Sequence, residues 1–165
     1  MQDRLSKLVT IFADLDFRGS RAEGDDLLGD AYEYLMRHFA TESGKSKGQF
    51  YTPAEVSRIL AKVLQIPKDS PRDTTVYDPT CGSGSLLIKV AAEAPGGLSI
   101  YGQEKDNATW ALSKMNMILH GWDDAEIAKG DTITNPQFTP DGARLKAFDF
   151  AVANPPFSLK SWSNG

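Results

Sequence analysis

The chain has 165 residues, 41% hydrophobic and 24% charged, with a formal net charge of −4. That is one domain by size, with enough apolar material for a real core, and its acidic balance argues against bulk electrostatic capture of nucleic acid. A DNA substrate would need another subunit or a further segment for most of the grip. The single cysteine, Cys81, excludes an internal disulfide and gives no sign of secretion. No apolar run could span a bilayer, and Met1-Gln2-Asp3-Arg4 lacks the apolar core of a signal peptide. The expected location is cytoplasmic.

The first part of the chain reads as helical. Leu5, Leu8, Val9 and Phe12 mark one amphipathic series. Leu27, Leu28, Ala31, Tyr32, Leu35, Met36 and Phe39 mark a longer one, with Asp25 and Asp26 well placed in its first turn. A polar loop from Thr41 to Gly48 contains Gly44-Lys45-Ser46. A phosphate loop would need a glycine where Phe39 stands, so that reading is excluded.

The segment Gln49-Phe50-Tyr51-Thr52-Pro53-Ala54-Glu55 predicts a helix start. Thr52 is the expected N-cap, Pro53 the first helical residue and Glu55 the third, a capping box. The helix runs through Val56, Ile59, Leu60, Val63 and Leu64 until Pro67. Phe50 and Tyr51 either staple this helix into a core or close over a bound ligand, and both readings stay open.

From Thr74 strand and helix alternate. Strands are predicted at Thr74–Asp78, Leu98–Gly102, Ala125–Lys129 and Ala147–Ala153. Leu86, Leu87, Val90 and Ala91 mark one intervening helix; Ala108, Ala111, Leu112, Met115, Ile118 and Leu119 mark the apolar face of another. The alternation implies parallel strands with crossover helices, an open α/β sheet. The connection from Thr132 to Lys146 carries Pro136, Pro140 and Gly142 and reads as loop. No internal repeat or low-complexity tract is present.

Asp78, Glu104, Asp131 and Asn154 each fall at or just past the carboxyl end of a predicted strand, the edge where open α/β sheets bind ligands. The first crossover, Asp78-Pro79-Thr80-Cys81-Gly82-Ser83-Gly84-Ser85, carries two glycines that allow close backbone approach. Leu87 stands where a dinucleotide fingerprint wants its third glycine. Glu104 lies 20 residues past Gly84, the separation expected of an acid that accepts from ribose hydroxyls. Asp78 is a poor neighbour for pyrophosphate but a good one for a cation. A positively charged nucleoside without phosphates, S-adenosylmethionine, fits the loop better than a dinucleotide.

The predicted last strand delivers Asn154-Pro155-Pro156-Phe157. Asn154 offers a side-chain carbonyl, the proline-stiffened backbone offers another, and Phe157 offers a flat apolar face. Two fixed acceptors and a ring suit a planar amino group on a flat π-system. Cys81 reads as small and buried, not nucleophilic. His38 and His120 lack metal-ligand spacing, and no metal is expected.

These motifs, together with Gly48-Gln49-Phe50-Tyr51-Thr52-Pro53, Gly102-Gln103-Glu104 and Gly130-Asp131, resemble the modification (methyltransferase) subunit of type I restriction-modification systems, DNA adenine-N6 methyltransferases. The order of the motifs is also that family's order, and Leu28–Leu35 resembles its helical leader. The resemblance implies a helical segment over residues 1–47 and a partial Rossmann-like methyltransferase core over 48–165. It implies S-adenosylmethionine as cofactor, with Phe50, Tyr51 and Thr52 closing over its methionine end. Asp78, Thr80, Gly82, Gly84 and Ser85 would form the main cofactor loop, Glu104 would hold the ribose, and Asp131 would accept from the adenine amino group with Thr132 beside it. Asn154, Pro155, Pro156 and Phe157 would hold the target adenine, flipped from DNA. The implied partners are DNA, a specificity subunit and a restriction subunit.

Two alternatives stay open. A protein glutamine N5-methyltransferase would use the same Asn-Pro-Pro on a planar amide. A non-catalytic truncated fragment or scaffold is the other: four strands are predicted where this fold usually has seven, and the chain ends eight residues after Phe157. Such a fragment would leave apolar sheet surface uncovered and prone to self-association.

Overall fold

The structure, a computed structural model, describes Tyr34 and residues 52–142 and 144–156. Tyr34 is helical and exposed; the other leader positions, the 47/48 boundary, Phe50, Tyr51, His38 and Phe157 lie outside the described residues.

Within residues 52–156 seven elements follow in order: α1 (Ala54–Val63), β1 (Thr75–Asp78), α2 (Ser85–Ala91), β2 (Ser99–Glu104), α3 (Asn107–Leu119), β3 (Glu126–Lys129) and β4 (Phe150–Ala151). The strands form one sheet in the order β3-β2-β1-β4, every pair parallel. The chain steps outward from β1 to β3, then returns across the sheet to place β4 on the other side of β1. The strand order therefore reverses between β1 and β4, the kind of switch point at whose carboxyl end ligands bind.

Alternation along the strands divides the sheet's two faces. Val76 and Ile100 face the core made by Leu86, Leu87, Val90, Ala91 and Met117. The helix α2 is apolar almost all round because it is enclosed by α1, α3 and the strands. Burying Leu86 and Leu87, at most 1% exposed, stabilises the fold by about 1.5–3 kcal/mol each. On the opposite face Tyr77 stacks on Phe148 at 4.5 Å, and Phe138 meets Tyr77 and Tyr101 edge-on. Lys146 Nζ sits 3.6 Å from the Tyr101 ring centroid. The loop from β3 to β4 thus covers that face with rings instead of a helix, as its prolines lead one to expect.

Three expectations are corrected. The predicted strand Ala147–Ala153 shortens to Phe150–Ala151, and only Val152 of that run is buried. Asp149 takes the place of ladder pairing at its start, its carboxylate accepting from Thr75 N and Thr75 Oγ1, both at 2.8 Å. The capping box does not form: α1 begins at Ala54, Pro53 is the N-cap with an extended ψ of 141°, and no side chain caps it. The Thr52 hydroxyl is engaged elsewhere, as described below.

The third correction concerns α3. Its buried residues are Thr109, Ser113, Asn116 and Met117, while Ala108, Ala111, Met115 and Ile118 from the predicted apolar face are exposed. Asp106 sets the helix start by accepting from Thr109 N at 2.9 Å. The inward face then lies against the Cys81–Ser85 turn, where backbone carbonyls need donors. Small polar side chains serve that contact beside Met117, which packs on Gly84: Asn116 Nδ2 donates to the Ser83 carbonyl at 2.9 Å. The buried Asn116 Oδ1 has no partner among the described residues.

Candidate active site

The register fixes the heights of the rim residues. Asp78 pairs level with Gly102, and Val152 N donates to the Tyr77 carbonyl at 2.9 Å just beyond the Tyr77–Ala151 pair. Glu104 and Asn154 therefore stand two residues past the Asp78 level, on its two sides. Lys129 pairs with Glu104, so Asp131 lies two residues higher again. The sequence expectation of one shared rim is met, in the order Asp131, Glu104, Asp78, Asn154 across the sheet.

Asp78 is buried at the end of β1. Its Oδ1 accepts from Thr80 N at 2.9 Å and from Thr80 Oγ1 at 3.5 Å, while Oδ2 has no hydrogen-bond partner among the described residues. Desolvation pushes its pKa up to about 7, opposed by the Thr80 hydrogen bonds and reinforced by the charge of Glu104. Glu104 is likewise raised by burial, although its oxygens accept from Gly82 N at 3.1 Å and Asp106 N at 2.7 Å. A buried carboxylate and a half-buried one, the second adding its charge to the cost of ionising the first, form a site that a cation would relieve.

The turn between them is built on glycine. Gly82 has φ +56° and Gly84, the N-cap of α2, has φ +81°. A Cβ at Gly84 would meet Met117 Cε at 2.6 Å and Ser113 Oγ at 2.9 Å. Gly84→Ala is therefore expected to destabilise the fold by about 2–4 kcal/mol, read as a drop in thermal midpoint. An unchanged midpoint would show that the turn is not tightly packed on α3. Leu87, where a third glycine was absent, is a core residue at 0% exposure. Ser85 is buried with its hydroxyl 2.9 Å from Ser83 Oγ, so it braces the turn from beneath. Cys81 is buried, and desolvation holds its thiol well above the usual range, in keeping with a structural role.

On the outer side, Asp131 Oδ1 accepts from Ile133 N at 3.0 Å and Thr134 N at 3.3 Å. Its Oδ2 pairs with Lys105 Nζ at 2.7 Å, and the lysine hydrogen bond is the main cause of its lowered pKa. Thr132 Oγ1 donates to the Pro79 carbonyl, tying this loop to the turn after β1 across the end of β2.

At the other end of the rim, Asn154 Nδ2 donates to Thr52 Oγ1 at 3.3 Å. Among the described residues the amide makes this single hydrogen bond, which leaves Oδ1 an open acceptor. The Thr52 carbonyl in turn accepts from Ser57 Oγ at 3.3 Å, seating the entrance of α1 beside the Asn-Pro-Pro segment. Thr52 and Asn154 are thus brought together from opposite ends of the described chain; no hydrogen bond joins Asn154 to Asp78 or Glu104. His120 caps the end of α3, with Nδ1 2.9 Å from the Asn116 carbonyl. Among the described residues no group of three or more His, Cys, Asp and Glu could hold a metal, and no helix is long and apolar enough to cross a membrane.

Two residues that order this rim were given no role of their own from the sequence. Gln103 is fully buried in β2, with Nε2 donating to the Asn135 carbonyl and Oε1 accepting from Gln137 N, both at 3.0 Å. Asn116 is the second, beneath the glycine turn. The available signal was a carboxamide at an otherwise apolar, inward position of a strand or helix.

An open parallel sheet with a glycine turn under one acid and a second acid at the next strand end defines a Rossmann-like nucleoside-binding domain. The same fold occurs in an O-methyltransferase from Bacillus cereus, with TM-score 0.54 over 92% of this chain and 60% of that one, at 15% identity. The family described as N-6 DNA Methylase matches residues 23–165, and the chain belongs to it.

Relatives agree. The type I restriction enzyme MpnII methylase subunit of Mycoplasma pneumoniae is 37% identical over 98% of this chain and 31% of its own length. The MjaVIII methylase subunit of Methanocaldococcus jannaschii is 39% identical over 92% of this chain and 26% of its own. A solved type I restriction-modification methyltransferase subunit from Streptococcus thermophilus superposes with TM-score 0.70 at 36% identity, over 88% of this chain and 30% of that one. The chain therefore spans about a third of the length of such relatives.

Proposed function

We propose that the chain carries the catalytic core of a type I modification subunit, which transfers the methyl group of S-adenosylmethionine to the N6 amino group of an adenine in DNA. The observation that carries this reading is the switch-point rim itself. It puts a charge-strained carboxylate pair and glycine turn on one side, and an amide with an open acceptor on the other. Membership of the N-6 DNA methylase family supports it.

The donor set fits the cofactor. Asp78 Oδ2, without a hydrogen-bond partner among the described residues and near the half-buried Glu104, is suited to the positive end of S-adenosylmethionine. Glu104, with lone pairs left after its two amide bonds, would hold the ribose hydroxyls. Gly82 and Gly84 keep the backbone close, Thr80 fixes the Asp78 rotamer, and Asp131 with Thr132 would receive the adenine amino group after Lys105 yields an oxygen. Phe50, Tyr51 and Thr52 would close the methionine end. When bound, the cofactor supplies an electrophilic sulfonium methyl.

The adenine amino group is a weak nucleophile because its lone pair is delocalised into the ring. Asn154 Oδ1 and the Pro155 carbonyl would accept its two hydrogens and favour pyramidal nitrogen. Thr52 Oγ1 accepts from one N–H of the Asn154 amide, an arrangement that turns Oδ1 toward the substrate side. Pro156 stiffens the segment and Phe157 would stack on a base flipped from the duplex. Rate then comes from positioning and from fixed dipoles aimed at developing charge. With a net charge of −4, the chain would rely on a specificity subunit for its hold on DNA, with a restriction subunit completing the assembly.

Calorimetric titration with S-adenosylmethionine tests the reading. The parent chain is expected to bind, and Asp78→Ala and Glu104→Ala each to lose at least about tenfold in affinity, as removing one charged hydrogen-bond partner does. No binding by the parent would instead favour a non-catalytic scaffold. Methyl transfer to adenine in DNA, with and without a specificity subunit, tests the substrate.

A further inference from the structure

We propose that Gln103 is a positioning residue that shapes the amino-recognising end of the cofactor site and so sets its preference for a 6-amino over a 6-oxo purine. The inference rests on the cofactor reading above. Gln103 lies in β2, one residue before Glu104, at 0% exposure. A carboxamide buried there is costly unless both its ends are bonded, and an aliphatic side chain would otherwise pack as well. Both ends are bonded, and both to backbone of one loop: the Asn135 carbonyl and the Gln137 amide, each at 3.0 Å. Those groups are two residues apart, as on a strand edge. The side chain therefore acts as a surrogate peptide group, pairing β2 with a loop that forms no strand of its own.

That loop carries Asp131. Asn135 N donates to the Asp131 carbonyl at 2.7 Å, and Asp131 Oδ1 accepts from the amides of Ile133 and Thr134. At its near end the Gly130 amide is tied to the Glu104 carbonyl at 2.9 Å. The turn 131–135 is thus pinned at both ends to β2, by main chain at Gly130 and by Gln103 at Asn135. Its geometry sets where the Asp131 carboxylate points. A carboxylate so directed accepts from a 6-amino group and repels a 6-oxo group, and a site built on such a bond discriminates strongly. Released at Asn135, the turn can reorient, and the discrimination is lost before the binding is.

The test compares S-adenosylhomocysteine with S-inosylhomocysteine by calorimetry, in the parent, Gln103→Met and Gln103→Glu. The parent is expected to favour the adenosyl ligand by about a hundredfold or more. Gln103→Met, equal in length but without hydrogen-bonding ends, should cut that ratio to about tenfold or less, the loss expected for a lapsed directional hydrogen bond. In the ligand-free protein the Asn135 and Gln137 amides should exchange at least about tenfold faster, with the β1–β2 ladder unchanged. A merely structural role would weaken both ligands alike, so an unchanged ratio in a folded variant overturns the inference. If Gln103→Met loses protection throughout, Gln103→Glu, which keeps the acceptor and the size, carries the same criterion. Global loss in both variants overturns it too. A parent that binds neither ligand overturns the cofactor reading itself, a result distinct from a parent that binds but whose ratio no variant alters.

Discussion

Asp78→Asn is expected to make the protein more stable at pH 8 while weakening S-adenosylmethionine binding at least about tenfold, the loss expected when a charged partner is removed. The buried Asp78 has its pKa raised from 3.8 to about 7. Between those values the folded state holds a proton that the unfolded chain has released. Stability therefore falls as pH rises through that window, and above about pH 7 the full cost is present. A shift of this size corresponds to about 4 kcal/mol at pH 8, absent below about pH 4. An asparagine keeps an acceptor for Thr80 and carries no charge, so its thermal midpoint should exceed that of the parent at pH 8 and match it near pH 4.

The retained cost has a functional counterpart. A cation arriving beside Asp78 relieves it, so cofactor affinity in the parent should rise between pH 6 and pH 7.5 as the carboxylate ionises. That rise should vanish in Asp78→Asn. Melting curves and titrations over this range decide the matter. An asparagine variant that is less stable at pH 8 and binds as well as the parent would remove Asp78 from the site.

Asn154→Ala is expected to lower the turnover number for methyl transfer to DNA by about a hundredfold to a thousandfold, the range seen when one aimed polar group is removed from a reacting centre. Cofactor affinity should stay within about threefold, since Asn154 shares no hydrogen bond with Asp78 or Glu104. The measurement needs the chain assembled with a specificity subunit and its DNA. Asn154→Asp separates the two roles of the amide: it keeps an acceptor but loses the donor that Thr52 Oγ1 receives at 3.3 Å. Its rate should fall less than that of the alanine variant, and Thr52→Val should resemble it. Parental turnover in Asn154→Ala would exclude the amide from catalysis.

The residues that could be read from the sequence share one property: their meaning depends on position along a strand. Asp78 and Glu104 end strands and Asn154 follows one closely, and parallel alternation alone requires such ends to share an edge. The glycine turn was legible for a similar reason, because Gly82 and Gly84 use conformations that other residues rarely adopt. What failed was inference from apolar periodicity. Helix α3 exposes Met115 and Ile118 and buries Ser113 and Asn116, because part of its inner face meets the backbone of the glycine turn, where Asn116 donates to the Ser83 carbonyl. The run before Asn154 looked like a buried strand; Asp149 binds Thr75 and leaves only a two-residue ladder.

The sequence by itself determined the sheet class, the succession of strands and helices and which residues would crowd its carboxyl edge, because local conformational preference and period fix strands, helices and turns. The tertiary structure alone decided how those residues are held. Thr52 turned from a helix cap into the partner of Asn154, 102 residues away, and Gln103 became the clamp on the Asp131 loop. Such long-range hydrogen bonds leave no periodic trace, since each depends on two backbones brought together only when the core closes.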